Sequence, residues 1–152
     1  MEKFMEKETN HALNTMLVKL FNTVMLQEEK AIITEEFKDI TNNDMHIIEA
    51  IGVNEPKNMS QVAKALSVTV GTLTIAINNL VKKGYVDRVR SEKDRRVVYI
   101  SLSSKGRKAF DHHAKFHEEM IQATVKGLST EEVNILVKSL ENLAGFFRDW
   151  QH

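Results

Sequence analysis

Between Met59 and Gly106 the spacing of apolar residues changes once, at Gly84. Before Gly84 the spacing is helical. Val62, Ala63 and Leu66 form the buried face of a short helix, with Ser60 as its cap. Ser67-Val68-Thr69 makes a turn, and Thr69 caps a second helix from about Val70 to Lys83 whose stripe is Leu73, Ala76, Ile77 and Leu80. Gly84 suits the left-handed residue that ends such a helix. After it the period is two: Val98, Ile100 and Leu102 alternate with Val97, Tyr99 and Ser101, as in a half-buried strand. The segment from about 85 to 90 is its partner, and Ser91 to Asp94 is the tip between them.

Two short helices across a tight turn, followed by a hairpin, are the plan of a winged helix-turn-helix. Charge agrees with that plan. Lys82 to Lys108 holds ten basic and three acidic residues, a net of +7 in a chain that is neutral as a whole. A chain polarised in this way turns one face toward polyanions. The second helix offers Val70, Gly71, Thr72, Thr74, Ile75 and Asn78 away from its buried stripe. Small side chains let a helix sit deep in the major groove of double-stranded DNA. Thr72 and Thr74 suit base edges or phosphates, Val70 and Ile75 suit thymine methyls, and Asn78 suits adenine. Ser60 and Thr69, at the helix starts, complete that surface. The helix has no arginine, so the expected site leans toward A·T pairs. Arg88, Arg90, Lys93, Arg95 and Arg96 lie on or near the hairpin, where they can reach phosphates or a narrow minor groove. Asp94, two residues before Arg96, is expected to pair with it and hold the tip in shape.

The remainder is read as helix, because one proline and six glycines are the only strong interruptions in 152 residues. A first helix covers about 8–30, with Leu13, Leu17, Leu20 and Val24 as its stripe. A second follows Thr41, with Asp44 completing an acidic capping box, and runs to about Val53. Ser103 caps a long helix ending before Gly127, and Ser129 to Glu132 is a capping box for the last. The fold class is therefore mainly α with a small β-hairpin wing: about six helices in a single domain, 1–152, with the winged helix-turn-helix in 41–102. The stripes of 8–30 and 104–150 are too broad for a small module to cover, so these segments are expected to dimerise. A twofold homodimer would set its two reading helices about 34 Å apart.

The chain has no cysteine, which excludes disulfides, thiolate metal sites and a cysteine nucleophile. No run of about 18 apolar residues is present, and the N-terminus is charged, so the expectation is a cytoplasmic protein with no membrane partner. Enzymatic activity is not expected. Asp111 and His112 are helix neighbours that point apart, and neither a nucleophile turn nor a glycine-rich phosphate loop occurs. A pure protein-interaction module would explain the apolar stripes but not the arginine-bearing hairpin.

Asp94-Arg95-Arg96, five residues, Leu102-Ser103, two residues and Gly106 form a motif that resembles the MarR family of bacterial transcription regulators. The family usually has threonine where Ser103 stands, and serine caps as well. The resemblance implies an intertwined, obligate homodimer whose terminal helices interlock and whose two winged modules meet a pseudo-palindromic operator. Within the family, Met45-His46, Val68 to Thr74, Arg90 to Val98 and Lys115-Phe-His117 are similar to repressors of fatty-acid synthesis genes. That similarity implies an acyl ligand, acyl-acyl carrier protein, that strengthens DNA binding. Met16, Phe21, Met25, Phe110, Phe116 and Met120, together with His46, His113 and His117, are the candidate effector residues, at the junction of the first, second and long fifth helices. No cofactor is otherwise implied. The alternative is a zinc-responsive member of the family, with Glu28, His46, His113 and His117 as ligands. His113 and His117, four apart on one helix, form a usable half-site.

Overall fold

A computed structural model describes residues 2–150. Helix α1 spans Glu2–Ile32, α2 Asn42–Ile51, strand β1 Lys57–Asn58, α3 Met59–Ala65, α4 Val70–Lys82, β2 Val86–Arg90, β3 Val98–Leu102, α5 Ser104–Val125 and α6 Thr130–Asp149. These six helices and a small antiparallel sheet are the expected class. The chain divides into two compact units, 1–114 and 115–152. The physical basis is burial. The core residues all lie before Ala114, and α6 buries none of its residues.

The first unit is built around α2, α3, α4 and the sheet. Ile48, Ile51, Val62, Leu73, Ile77, Leu80, Tyr85, Val86, Ile100 and Leu102 are buried together. The stripe read for α4 is thus the core face, and the alternation read for β3 puts Ile100 and Leu102 inside. Helices α3 and α4 are bent by 105° at their junction, where Ser67 takes a left-handed φ of 55°. β3 is central, with β1 and β2 on either side. Arg88 and Lys57 both register on Ile100, and Arg90 on Val98. The two-residue β1 has no signature in the sequence, because two half-buried residues carry no periodicity. Of β2 only Val86 is buried, so the hairpin projects from the core.

The helix starts follow the caps with one correction. Thr41 Oγ1 accepts from Asp44 N–H at 3.1 Å while Asp44 returns the bond at 3.0 Å, the acidic capping box expected. Ser129 and Glu132 form the second box. For α3, however, the cap is Asn58, not Ser60. Asn58 Oδ1 accepts from Gln61 N–H at 2.8 Å and Gln61 Oε1 accepts from Asn58 N–H at 2.9 Å. An asparagine with a glutamine three residues on closes both bonds, whereas Ser60 sits inside the first turn, exposed.

In the second unit, the C-terminal part of α5 and α6 carry exposed apolar side chains, among them Ile135, Leu140, Phe146, Phe147 and Trp150. Phe146 packs its ring against Phe147 at 5.4 Å and Trp150 at 5.1 Å. Among the described residues, no single helix is long and apolar enough to cross a membrane.

Candidate nucleic-acid interface

Helix α4 presents two faces because its apolar residues fall at helical spacing. Leu73, Ile77 and Leu80 are buried, while Val70, Gly71, Thr72 and Ile75 are exposed, Ile75 by 68%. An isoleucine left in water at that level is available to an apolar partner. Thr69 caps the helix, its Oγ1 accepting from Thr72 N–H at 3.1 Å. The hydroxyls are already engaged locally: Thr69 donates to Thr72 Oγ1 at 3.0 Å, and Thr74 to the Val70 carbonyl at 2.7 Å. Asn78 is half-buried, and its Oδ1 accepts from Arg88 Nη1 at 2.6 Å. A bidentate pairing of Asn78 with adenine needs that acceptor, so it requires Arg88 to let go. Sequence spacing could not show this bond, because ten residues and a turn separate its ends.

The wing is a shaped loop. Ser91 N–H donates to Val97 O, and Val97 N–H to Asp94 O, both at 2.9 Å. Asp94 Oδ1 accepts from the backbone N–H of Arg96 at 3.0 Å and its Nε at 3.1 Å, and Oδ2 accepts from Nη2 at 3.2 Å. This is the Asp94–Arg96 pairing expected. The Arg96 side-chain bonds, and then its backbone N–H, hold the Asp94 carboxyl below its ordinary pKa. Arg88, Arg90, Lys93, Arg95 and Arg96 are all exposed. One arginine thus holds the tip while its neighbours extend into solvent. An exposed ion pair of this kind adds little stability and serves to fix geometry.

The root of the wing is a polar cluster with no signature in the sequence. Tyr85, fully buried, donates from its hydroxyl to Asp39 Oδ1 at 2.7 Å. Lys105 Nζ lies 4.3 Å from the Tyr85 ring centroid and 3.8 Å from Asp39 Oδ1. Lys83 pairs with the buried cap residue Asp44 at 2.8 Å. Burial, and then the Asp39 hydrogen bond, push the Tyr85 phenol well above its usual pKa. The same bond draws the Asp39 carboxyl down. Gly84 takes φ 84°, the left-handed turn that starts the wing.

Of the candidate effector residues, Met16, Phe21, Met25, His46, Phe110 and His113 lie in the first unit, and Phe116, His117 and Met120 in the second. Met16, Phe21 and Met25 stand exposed along α1, at 68%, 55% and 55%, because α1 carries apolar residues on several faces and its neighbours cover few. Phe110 packs against the core. In the second unit Phe116, His117 and Met120 are half-buried, with Phe116 edge-on to His117. Of the alternative metal set, Glu28 and His113 meet: His113 Nε2 is 3.4 Å from Glu28 and 3.0 Å from Glu49, all in the first unit. His117 follows one turn along α5. His46 does not join them, because Glu49 stands between, 3.6 Å from His46 Nδ1. His46 instead lines a cavity of about 260 Å³ with Asn43, Ile47, Leu66, Val68, Thr72, Leu73 and Ala76, against α4.

Residues 29–113 match the family described as transcriptional regulator SarA/Rot. The chain is 30% identical over 127 residues to the HTH-type transcriptional regulator PchR of Bacillus subtilis, covering 80% of this chain and 75% of that protein. Its fold is similar to Streptococcus pneumoniae FabT in complex with DNA: 42% identity, TM-score 0.82, 93% of this chain and 99% of that one. It is also similar to a mutant of Escherichia coli MarR complexed with operator DNA, at 26% identity and TM-score 0.58, covering 84% and 92%. The zinc alternative gains no support from these matches.

Proposed function

The chain belongs to the SarA/Rot family of winged-helix, MarR-type transcriptional regulators, and from that premise we propose that it represses fatty-acid synthesis genes as a homodimer on a pseudo-palindromic operator. It is a DNA-binding regulator and not an enzyme, as are the proteins it matches. The observation that carries the finer reading is its 42% identity to FabT along 93% of the chain.

In this reading α4 enters the major groove. Val70, Gly71, Thr72, Thr74 and Ile75 face the bases, Ser60 and Thr69 sit beside the backbone, and Asn78 holds Arg88. Arg90, Lys93, Arg95 and Arg96 track phosphate or minor groove. Two modules are held together by the apolar residues that α1 and α6 leave exposed. Acyl-acyl carrier protein is the effector, and it shifts the pair of modules toward the spacing the operator needs. A ligand can do this only by binding one arrangement better than the other.

Arg95→Glu combined with Arg96→Glu tests the wing. The expected result is an unchanged circular dichroism spectrum and a loss of operator affinity of at least about a hundredfold, since attractive wing charges become repulsive and the Arg96 side chain no longer holds Asp94 at the tip. Unchanged affinity would overturn the wing assignment. For the effector, operator binding is titrated with long-chain acyl-acyl carrier protein and with the unacylated carrier. Tightening by the acylated form alone is expected; equal effects remove the acyl arm and leave DNA binding standing.

A further inference from the structure

Tyr85 stands where four parts of the first unit meet. Its N–H donates to Leu80 O at 2.9 Å, closing the end of α4. Its carbonyl accepts from Ser103 N–H at 3.0 Å, at the junction of β3 and α5. Gly106, in the first turn of α5, lies so close that a Cβ there would fall on that same carbonyl. The phenol reaches Asp39 in the segment joining α1 to α2, and Lys105 of α5 covers the ring while approaching Asp39. One residue therefore ends the recognition helix, starts the wing, and ties both to α5 and to the α1–α2 connection.

We propose that Tyr85, through its hydrogen bond to Asp39, is a positioning residue for DNA recognition that fixes α4 and the wing relative to α5 and the α1–α2 segment. A winged module reads DNA with two parts at once, a helix on base edges and a hairpin on backbone. Phosphate contacts need only proximity and charge, because they are long-ranged and several basic side chains are flexible. Base contacts need hydrogen-bond geometry. A root free to pivot keeps the first and degrades the second. The phenol–carboxylate bond is suited to prevent this: one partner is charged, the other is fully buried, and the distance of 2.7 Å is that of a strong bond. Neither Tyr85 nor Asp39 lies on the exposed face of α4 or at the tip of the wing, so neither is assigned a DNA contact.

The inference rests on the DNA-binding reading, and the experiment separates the two. The wild-type chain first selects a duplex from a randomised library; failure to select any duplex counts against DNA binding itself. Tyr85→Phe, Asp39→Ala and Asp39→Asn are then compared on the selected duplex and on a scrambled one of the same composition. Tyr85→Phe keeps the ring and all backbone bonds. It is expected to lower the ratio of selected to scrambled affinity by about tenfold, with the dependence on salt unchanged. Asp39→Ala does the same, and Asp39→Asn, which keeps an acceptor for the phenol, recovers part of the ratio. Should Tyr85→Phe fail to fold, the exposed Asp39 carries the test. An unchanged ratio overturns the proposal. A parallel fall on both duplexes also overturns it, because that is the result of a merely structural role.

Discussion

At Tyr85 one hydrogen bond enters the titration of two groups. Its phenol is raised well above the usual tyrosine pKa, by burial first and then by the Asp39 carboxylate. A group whose folded pKa is raised contributes stability that is whole below its unfolded value and is lost as pH climbs through the folded one. Asp39 has the opposite sign: its carboxyl is lowered, so its contribution is present above the ordinary carboxylate range and is lost as pH falls through the depressed value. An ultraviolet titration should therefore contain a phenolic step delayed beyond the ordinary tyrosine range, and Tyr85→Phe should abolish that step. A titration with no delayed step would contradict the buried hydroxyl bond. Gly106 is tested by the same local geometry. Gly106→Ala places a methyl on the Tyr85 carbonyl and should cost about 2 kcal/mol, read as a lower denaturation midpoint with unchanged m-value. Asp94 and Arg96 were legible in sequence, two residues apart on a tip. Tyr85 and Asp39 were not, because 46 residues separate them and neither belongs to a motif.

Elements were legible wherever a local rule decides them. Thr41–Asp44, Thr69, Gly84 and Ser129–Glu132 each satisfy or terminate a helix through atoms within a few residues, and each behaves as its chemistry demands. The α3 start shows how such a rule fails. Ser60 and Asn58 are both good caps, and the choice falls to Asn58 because Gln61 stands three residues on to return the bond. Asn58→Ala should cost about 1 kcal/mol, while Ser60→Ala should leave the urea midpoint nearly unmoved. Equal costs would restore Ser60 as the cap. Length was the other difficulty. α1 starts at Glu2, well before residue 8, because the glutamate, lysine and methionine residues ahead of the apolar stripe are strong helix formers.

For the whole molecule, the unmet demand is apolar surface. Leu20, Phe21 and Met25 of α1 and Leu140, Phe146 and Phe147 of α6 are each at least half exposed. At roughly 25 cal/mol per Å² of apolar area, leaving so many large side chains in water favours a second copy of the chain over a free monomer. Sedimentation of the wild type should give a dimer; Phe147→Glu with Leu140→Glu should give a monomer that keeps its helical signal and binds operator weakly. A wild-type monomer at micromolar concentration would end the two-module reading. The sequence by itself determined the order of elements, the inward face of α4 and β3, and the place of the charge, because helical period, alternation, caps and charge runs act between residues close in the chain. Only the tertiary structure decided that Arg88 is held by Asn78, that His46 faces a cavity beside α4 and does not join Glu28 and His113, and that Tyr85 ties four segments together. Those contacts join residues far apart along the chain. Their partners are chosen by packing in three dimensions, and no spacing along the chain encodes them.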